Sequence, residues 1–278
     1  MISSAGLSQP KGIPILMYHA LVEGGRTGTI GGSEDPVYTI EKVQFEAHIR
    51  QLITLGFETV LLRDVVAWLS GKGVLPPKSV MITFDDGHVS NLTLAFPILE
   101  KYKYHAEFFL TTNYVGKPGY LERKQIKELR MGEMGIGSHT VSHPMLDELT
   151  PCRIREELGD SKKFLEDLLG EEVIGLSVPG GRINSTVPAI ARDAGYRTIL
   201  TSKSGVNEIG QDLYSLKRIT VRRSTLLSDA LMQRGYDRIG NRIVQEIFDG
   251  GKKLLGNKRY TRIRNAVLQS RWGLRGKP

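Results

Sequence analysis

The feature that most constrains this chain is a strand–helix rhythm whose polar clusters fall where strands end. Short apolar runs alternate with segments of helical periodicity about seven times between Ile13 and Val221. Residues 13–18, 59–62, 79–84, 106–110, 173–178, 197–201 and 216–221 read as strands, and 135–137 leads into a polar cluster. Residues 42–55, 63–69, 91–102, 124–131, 150–169 and 186–194 read as helices, with Pro151 in the first turn of the longest. Residues 24–35, rich in Gly, Ser and Thr, read as a loop. This alternation favours a parallel sheet with helices outside, either open or closed as a barrel. Barrels of this kind build their active sites at the C-terminal ends of the strands.

Bulk properties set the class. A chain of 278 residues with 40% apolar and 24% charged side chains is that of an ordinary soluble globular protein with one large core. The single cysteine, Cys152, excludes an internal disulfide and fits a reducing compartment. No run has the length and apolarity of a membrane span. Residues 1–12 lack the basic head and apolar core of a secretory signal, so the cytoplasm or the cytoplasmic face of a membrane is favoured.

The net charge of +8 is a C-terminal property: residues 234–278 hold twelve Lys/Arg against three Asp/Glu, and the rest is nearly neutral. Within that segment Ile239, Ile243 and Ile247 form one helical stripe, and Tyr260, Ile263 and Val267 another. A helical extension with a solvated basic face is expected there. Its functional form would be peripheral contact with anionic lipid headgroups or an acidic glycan. Nucleic acid is not expected, since no binding motif accompanies the charge.

Chemistry concentrates in two places. Met81-Ile82-Thr83-Phe84-Asp85-Asp86-Gly87-His88 carries two adjacent carboxylates off the end of a buried strand. Such neighbours repel, and a cation or a retained proton relieves them, although Asp-Gly is also a common turn pair. About fifty residues on, Ser138-His139-Thr140-Val141-Ser142-His143 places two imidazoles four apart, a spacing that lets both grip one ion. Two imidazoles and two carboxylates suffice to hold one divalent metal and leave one carboxylate free as a base. Of the six histidines, His19, His88, His139 and His143 fall at or just beyond strand ends; His48 reads as solvated, away from Phe45, Leu52 and Ile53, and His105 as structural.

Thr83-Phe84-Asp85-Asp86-Gly87 and Ser138-His139-x-x-x-His143 resemble the first two motifs of the polysaccharide deacetylases, the NodB-like carbohydrate esterase family 4. The resemblance implies a distorted (β/α)7-type barrel over 13–223, after a short arm (1–12) and before the basic extension (224–278). It implies hydrolysis of N-acetyl groups from an amino-sugar polysaccharide or glycolipid, with one divalent ion, zinc before cobalt, nickel or iron. Carried over by position, Asp86, His139 and His143 are the metal ligands and Asp85 is the base toward the activated water. The usual late Leu-x-His motif is missing. A permuted subgroup that includes poly-N-acetylglucosamine deacetylases places this histidine on the first strand, and Met17-Tyr18-His19 resembles that placement; His19 is therefore the expected acid, with His88 in competition.

The third motif is also altered, to Ser177-Val178-Pro179-Gly180-Gly181-Arg182. Its usual arginine position is Ser177, and Arg182 is expected either to supply the guanidinium to Asp85 or to lie solvated in the loop. The Gly180 N–H is a candidate oxyanion donor. The rival readings are a related C–N hydrolase acting on a small non-sugar amide, and a catalytically weak carbohydrate- or membrane-associating barrel.

Overall fold

Every residue of the first and third apolar runs is buried, and these become two neighbouring strands of the sheet: β1 (Ile13–Tyr18) and, later in the chain, β5 (Ser79–Phe84). The computed structural model describes residues 9–24, 37–225 and 227, all within the unit Met1–Arg234. The loop expected from residue 25 on, and the helical stripes and membrane contact expected over 234–278, lie outside the described residues. No helix among the described residues is long and apolar enough to cross a membrane.

After β1 come a small parallel pair, β2 (Leu21–Val22) and β3 (Ile40–Glu41), then α1 (Lys42–Thr54), β4 (Glu58–Thr59) and α2 (Leu62–Leu69). Beyond β5 a π-type turn at Asn91–Ala95 opens α3 (Phe96–Tyr102). The chain continues through β6 (Glu107–Leu110), α4 (Arg123–Met131), β7 (Gly135–Ser138), α5 (Pro151–Leu169), β8 (Gly175–Ser177), α6 (Thr186–Asp193), β9 (Thr198–Leu200), β10 (Val206–Asn207) and β11 (Ile219–Thr220).

Strands β1, β5, β6, β7, β8 and β9 lie side by side in that order, all parallel. β11 runs parallel to β1, and Leu216 just before it bridges in parallel to Leu200 of β9. Leu216 N–H donates to Ile199 O and Thr201 N–H donates to Leu216 O, both at 2.9 Å. Segment 216–220 therefore ties the last strand of the row to the first and closes the curled sheet into a barrel. Short β10, antiparallel to the start of β1, is an addition to the expected rhythm. Residues 59–62 are not one strand: β4 ends at Thr59, and Leu62 already opens α2.

The pleat sorts side chains by parity. Ile82, Phe84, Phe108, Leu176 and Ile199 join the apolar layer shared with Leu92, Ile98, Ile126, Ile154 and Ile190 of the helical segments. Ile13, Ile15, Met81, Phe109, Leu200 and Leu216 form a separate interior cluster together with Leu62, Val65 and Trp68 of α2. Phe109 fits there because two neighbours are glycine. A Cβ on Gly137 would come 2.4 Å from its ring, and one on Gly175 would come 3.2 Å from the ring and 2.2 Å from Leu62. On this apolar floor the same parity places Thr83, Asp85, Ser177 and Arg218, which form a buried, hydrogen-bonded polar layer.

Candidate metal and acid–base site

The polar layer opens at the C-terminal ends of the strands. Asp85 follows β5, and its N–H donates to Tyr18 O at 3.0 Å, holding it level with the end of β1. The chain then turns through Asp86 (φ 76°) and Gly87 (φ 80°). This left-handed pair aims the two carboxylates in different directions: Asp85 is 2% exposed, whereas the Asp86 side chain is about one-third exposed.

The histidine loop is held more tightly than a spacing of four requires. His139 N–H donates to Leu110 O (2.8 Å), Thr112 N–H to Thr140 O (3.1 Å) and His143 N–H to Thr140 Oγ1 (3.1 Å). Thr140 and His143 both adopt left-handed backbone, at φ 69° and 61°, and so are not on a helical turn. Buried Glu157 of α5 accepts the N–H groups of Val141 (2.8 Å) and Ser142 (2.9 Å) and the Ser142 hydroxyl.

This scaffold brings the three expected ligands together. Asp86 Oδ1 lies 3.3 Å from His139 Nε2 and 3.4 Å from His143 Nε2, and one ligand atom from each residue falls within 4.8 Å of the others. His139 Nδ1 is 2.7 Å from Ser177 O, so it carries the proton and leaves Nε2 a lone pair toward Asp86. Asp86 Oδ1 is buried without a hydrogen-bond partner among the described residues. An orphaned carboxylate oxygen facing two imidazole nitrogens fits a divalent cation.

The electrostatics agree. Burial raises the Asp86 carboxyl, but the His139 ring 3.3 Å away and the other surrounding imidazoles prevail and hold it well below the ordinary carboxylate range. Burial, with His139 adding to it, lowers His143 to about 4. An ionised carboxylate and a neutral imidazole are the protonation states in which these groups bind metals. Burial works to lower His139, but Asp85 and Asp86 outweigh it and the ring is raised.

Asp85 is held from a direction the sequence reading missed. Arg218, fully buried, donates from Nη1 to Asp85 Oδ1 and from Nη2 to Oδ2, both at 2.8 Å. It also donates to Ser177 Oγ (2.9 Å) and, from Nε, to Thr201 O (2.9 Å). Ser177 Oγ in turn donates to Asp85 Oδ2 at 3.1 Å. Burial opposes ionisation of Asp85, but Arg218 and then His139 overcome it, so the carboxyl lies below its ordinary value.

The expectation that Arg182 would serve Asp85 is corrected. Gly180 and Gly181, at φ 65° and 68°, carry the chain round so that Arg182 donates from Nε to Asp147 Oδ2 (2.8 Å) and lies 3.3 Å from Glu148. Gly180 itself is exposed, and a Cβ there would come 2.7 Å from Met145 Sδ.

The two remaining histidines differ. Half-buried His19 stacks on Tyr38 (4.7 Å between centroids, 24°), and Asn91 donates to its carbonyl at 2.8 Å. Burial lowers the His19 ring below its ordinary value, while Asp86 and Asp85 pull the other way. His88 is buried with Nδ1 2.7 Å from Ser90 Oγ and its ring edge-on to Tyr120. His48 is a further correction: it is buried, 3.2 Å from Tyr18 OH, while Ile53 is 42% exposed.

Known proteins resemble this chain in sequence and in fold. The polysaccharide deacetylase family profile matches residues 72–199, a span that holds Asp85, Asp86, His139, His143 and Ser177 but neither His19 nor Arg218. YxkH of Bacillus subtilis (strain 168), which bears a polysaccharide deacetylase name, is 32% identical over 213 residues, 77% of this chain and 72% of YxkH. The poly-beta-1,6-N-acetyl-D-glucosamine N-deacetylase of Staphylococcus aureus (strain MRSA252) is 27% identical over 176 residues, 58% of this chain and 60% of that protein. Among solved structures, the Streptococcus pyogenes deacetylase PplD in complex with acetate matches with a TM-score of 0.74 at 29% identity, covering 82% of this chain and all of PplD. IcaB from Ammonifex degensii matches at 0.69 and 26% identity, covering 82% of this chain and 99% of its own. Motifs, sheet and likenesses converge: the chain belongs to the polysaccharide deacetylase family, the NodB-like carbohydrate esterase family 4.

Proposed function

We propose that this protein removes acetyl groups from a polymer of N-acetylated amino sugars, using one zinc ion held by Asp86, His139 and His143. The observation that carries the reading is the convergence of those three side chains beside a second carboxylate, Asp85, locked in place by a buried guanidinium. A divalent ion bound there supplies Lewis acidity toward a water and toward the acetyl oxygen. Two imidazoles and a carboxylate suit zinc before harder cations.

The remaining steps fall to the chain's own groups. Asp85, ionised and fixed, takes a proton from the attacking water. His19, whose ring feels the charge of both carboxylates, gives a proton to the departing amine nitrogen, without which an amide does not break. It is preferred over His88, whose Nδ1 and ring are engaged with Ser90 and Tyr120. Gly180, bare and exposed, lets the acetyl oxygen approach its N–H.

Acetate release from N-acetylglucosamine oligomers by the zinc-loaded protein tests the reading. Release is expected from the oligomers and not from small cyclic amides, and Asp85→Asn is expected to slow it about 10²–10⁴-fold, leaving a residual rate. Zinc-loaded protein that releases no acetate from any N-acetylated glycan would refute the proposal and favour a binding barrel.

A further inference from the structure

We propose that Arg218 is the positioning residue for the base Asp85, so that the strand which closes the barrel also assembles the acid–base site. The inference rests on the reading of Asp85 as base. At the end of β8, where the third motif ordinarily carries an arginine, this chain has Ser177, too short to reach across a carboxylate by itself. Arg218 fills that need from the opposite edge of the row of strands, because segment 216–220 bonds to β9 on one side and β1 on the other.

Three features make Arg218 more than a buried ion pair. Its two Nη atoms contact both Asp85 oxygens, which fixes the carboxylate plane as well as its location. Its Nε is anchored on Thr201 O, so the fork is held from behind. It also shares Ser177 with the metal site: the Ser177 hydroxyl serves Asp85 and Arg218, while the Ser177 carbonyl orients His139. Base and metal ligand are therefore aligned through one residue on β8 and one guanidinium from the closing strand. That guanidinium lies beyond the segment that matches the family profile, which ends at residue 199.

The test uses the full chain, loaded with zinc, and measures kcat, KM and metal content together. Arg218→Lys keeps the charge but not the two-pronged grip. It is expected to lower kcat on N-acetylglucosamine oligomers tenfold or more, with KM within threefold and one zinc per chain. Arg218→Met alone strands a buried carboxylate and risks unfolding, so it is combined with Asp85→Asn, which leaves neither charge unpaired. Under single-turnover conditions Arg218→Met is expected to remove no further activity from Asp85→Asn, because Arg218 acts through Asp85. An Arg218→Lys protein with kcat within twofold of the parent overturns the inference, and so does a further tenfold loss on adding Arg218→Met to Asp85→Asn. Full activity in Asp85→Asn itself would instead overturn the base assignment, which separates the two failures.

Discussion

The histidine loop offers the sharpest test of how the fold sets the metal site, through Glu157. Among the described residues no hydrogen bond joins this side chain to the rings of the proposed metal ligands, yet its carboxylate holds the N–H groups of Val141 and Ser142 on one oxygen and the Ser142 hydroxyl on the other. A hydrogen bond to a charged acceptor contributes about 1.5–3 kcal/mol net. Ser142 is exposed and water can replace part of what it loses, so we take the two N–H bonds at the low end, about 3 kcal/mol for Glu157→Ala. The strain on the loop is of the same size: non-glycine residues in left-handed backbone cost roughly 1–3 kcal/mol each, and Thr140 and His143 are both of this kind. Loss of Glu157 therefore removes enough to let the loop relax, and with it both imidazoles. Expressed as metal affinity, loosened support of this sort costs about 10–100-fold, or roughly 1.4–2.8 kcal/mol. In Glu157→Gln the amide oxygen can still accept the two N–H groups without charge assistance, so a loss below tenfold is expected. Competition titration of zinc against a chelating dye, well below the melting temperature, measures this directly. If Glu157→Ala binds zinc within twofold of the parent while Tm falls, the loop geometry is set elsewhere and the reasoning is wrong.

Other outcomes follow from particular contacts. Burial raises the Glu107 carboxyl, at the start of β6, from an ordinary 4.5 to about 7. The folded state thus keeps a proton that the unfolded chain has released between pH 4.5 and 7, so stability falls as pH rises through that window and levels off above it. At 1.36 kcal/mol per unit, Glu107→Gln, which still accepts from Leu62 N–H, should be more stable than the parent by up to about 3 kcal/mol at pH 8 and nearly equal at pH 4. Urea unfolding at the two pH values checks this, and an equal effect at both would refute it. Zinc added to chelator-stripped protein at about 100 times Kd should stabilise it by about 2.7 kcal/mol, read as a rise in Tm that His139→Ala abolishes. Gly137→Ala should cost about 1–3 kcal/mol by overpacking, since the new methyl meets Phe109 at 2.4 Å; Phe109→Leu in the same chain should recover part of the loss in a denaturant titration.

Much of the frame could be read from residues alone, because fully buried strands declare themselves. Runs 13–18 and 79–84 became β1 and β5 without a shift at either end, and Thr150 with Pro151 did start the long helix, its side chain accepting from Arg153 N–H. The errors have physical sources. Position 48 follows Phe45 by three and precedes Leu52 by four, which is the buried face of α1; reading it as solvated judged the residue type over its spacing. Its place near the third motif leaves Arg182 open as either a partner for Asp85 or a solvated loop residue, but two left-handed glycines turn the chain before it and deliver it to Asp147.

Arg218 and Glu157 were overlooked although each carries a signal. In 216–221, Leu216 and Arg218 share one parity, while Ile219 and Val221 take the other, toward the helical layer. On α5, Glu157 stands among Ile154, Leu158 and Leu165 on the buried face. A charge placed at a core-facing position is costly unless it is paired, so such a residue announces that a partner exists. The partner's identity depends on which strand closes the barrel and which loop folds over which helix, and those contacts join residues 133 apart for Arg218 and Asp85 and 15 or 16 apart for Glu157 and its loop. Local periodicity thus reveals the need for a partner, and only closure of the sheet decides that Asp85 and the histidine loop are what meet it.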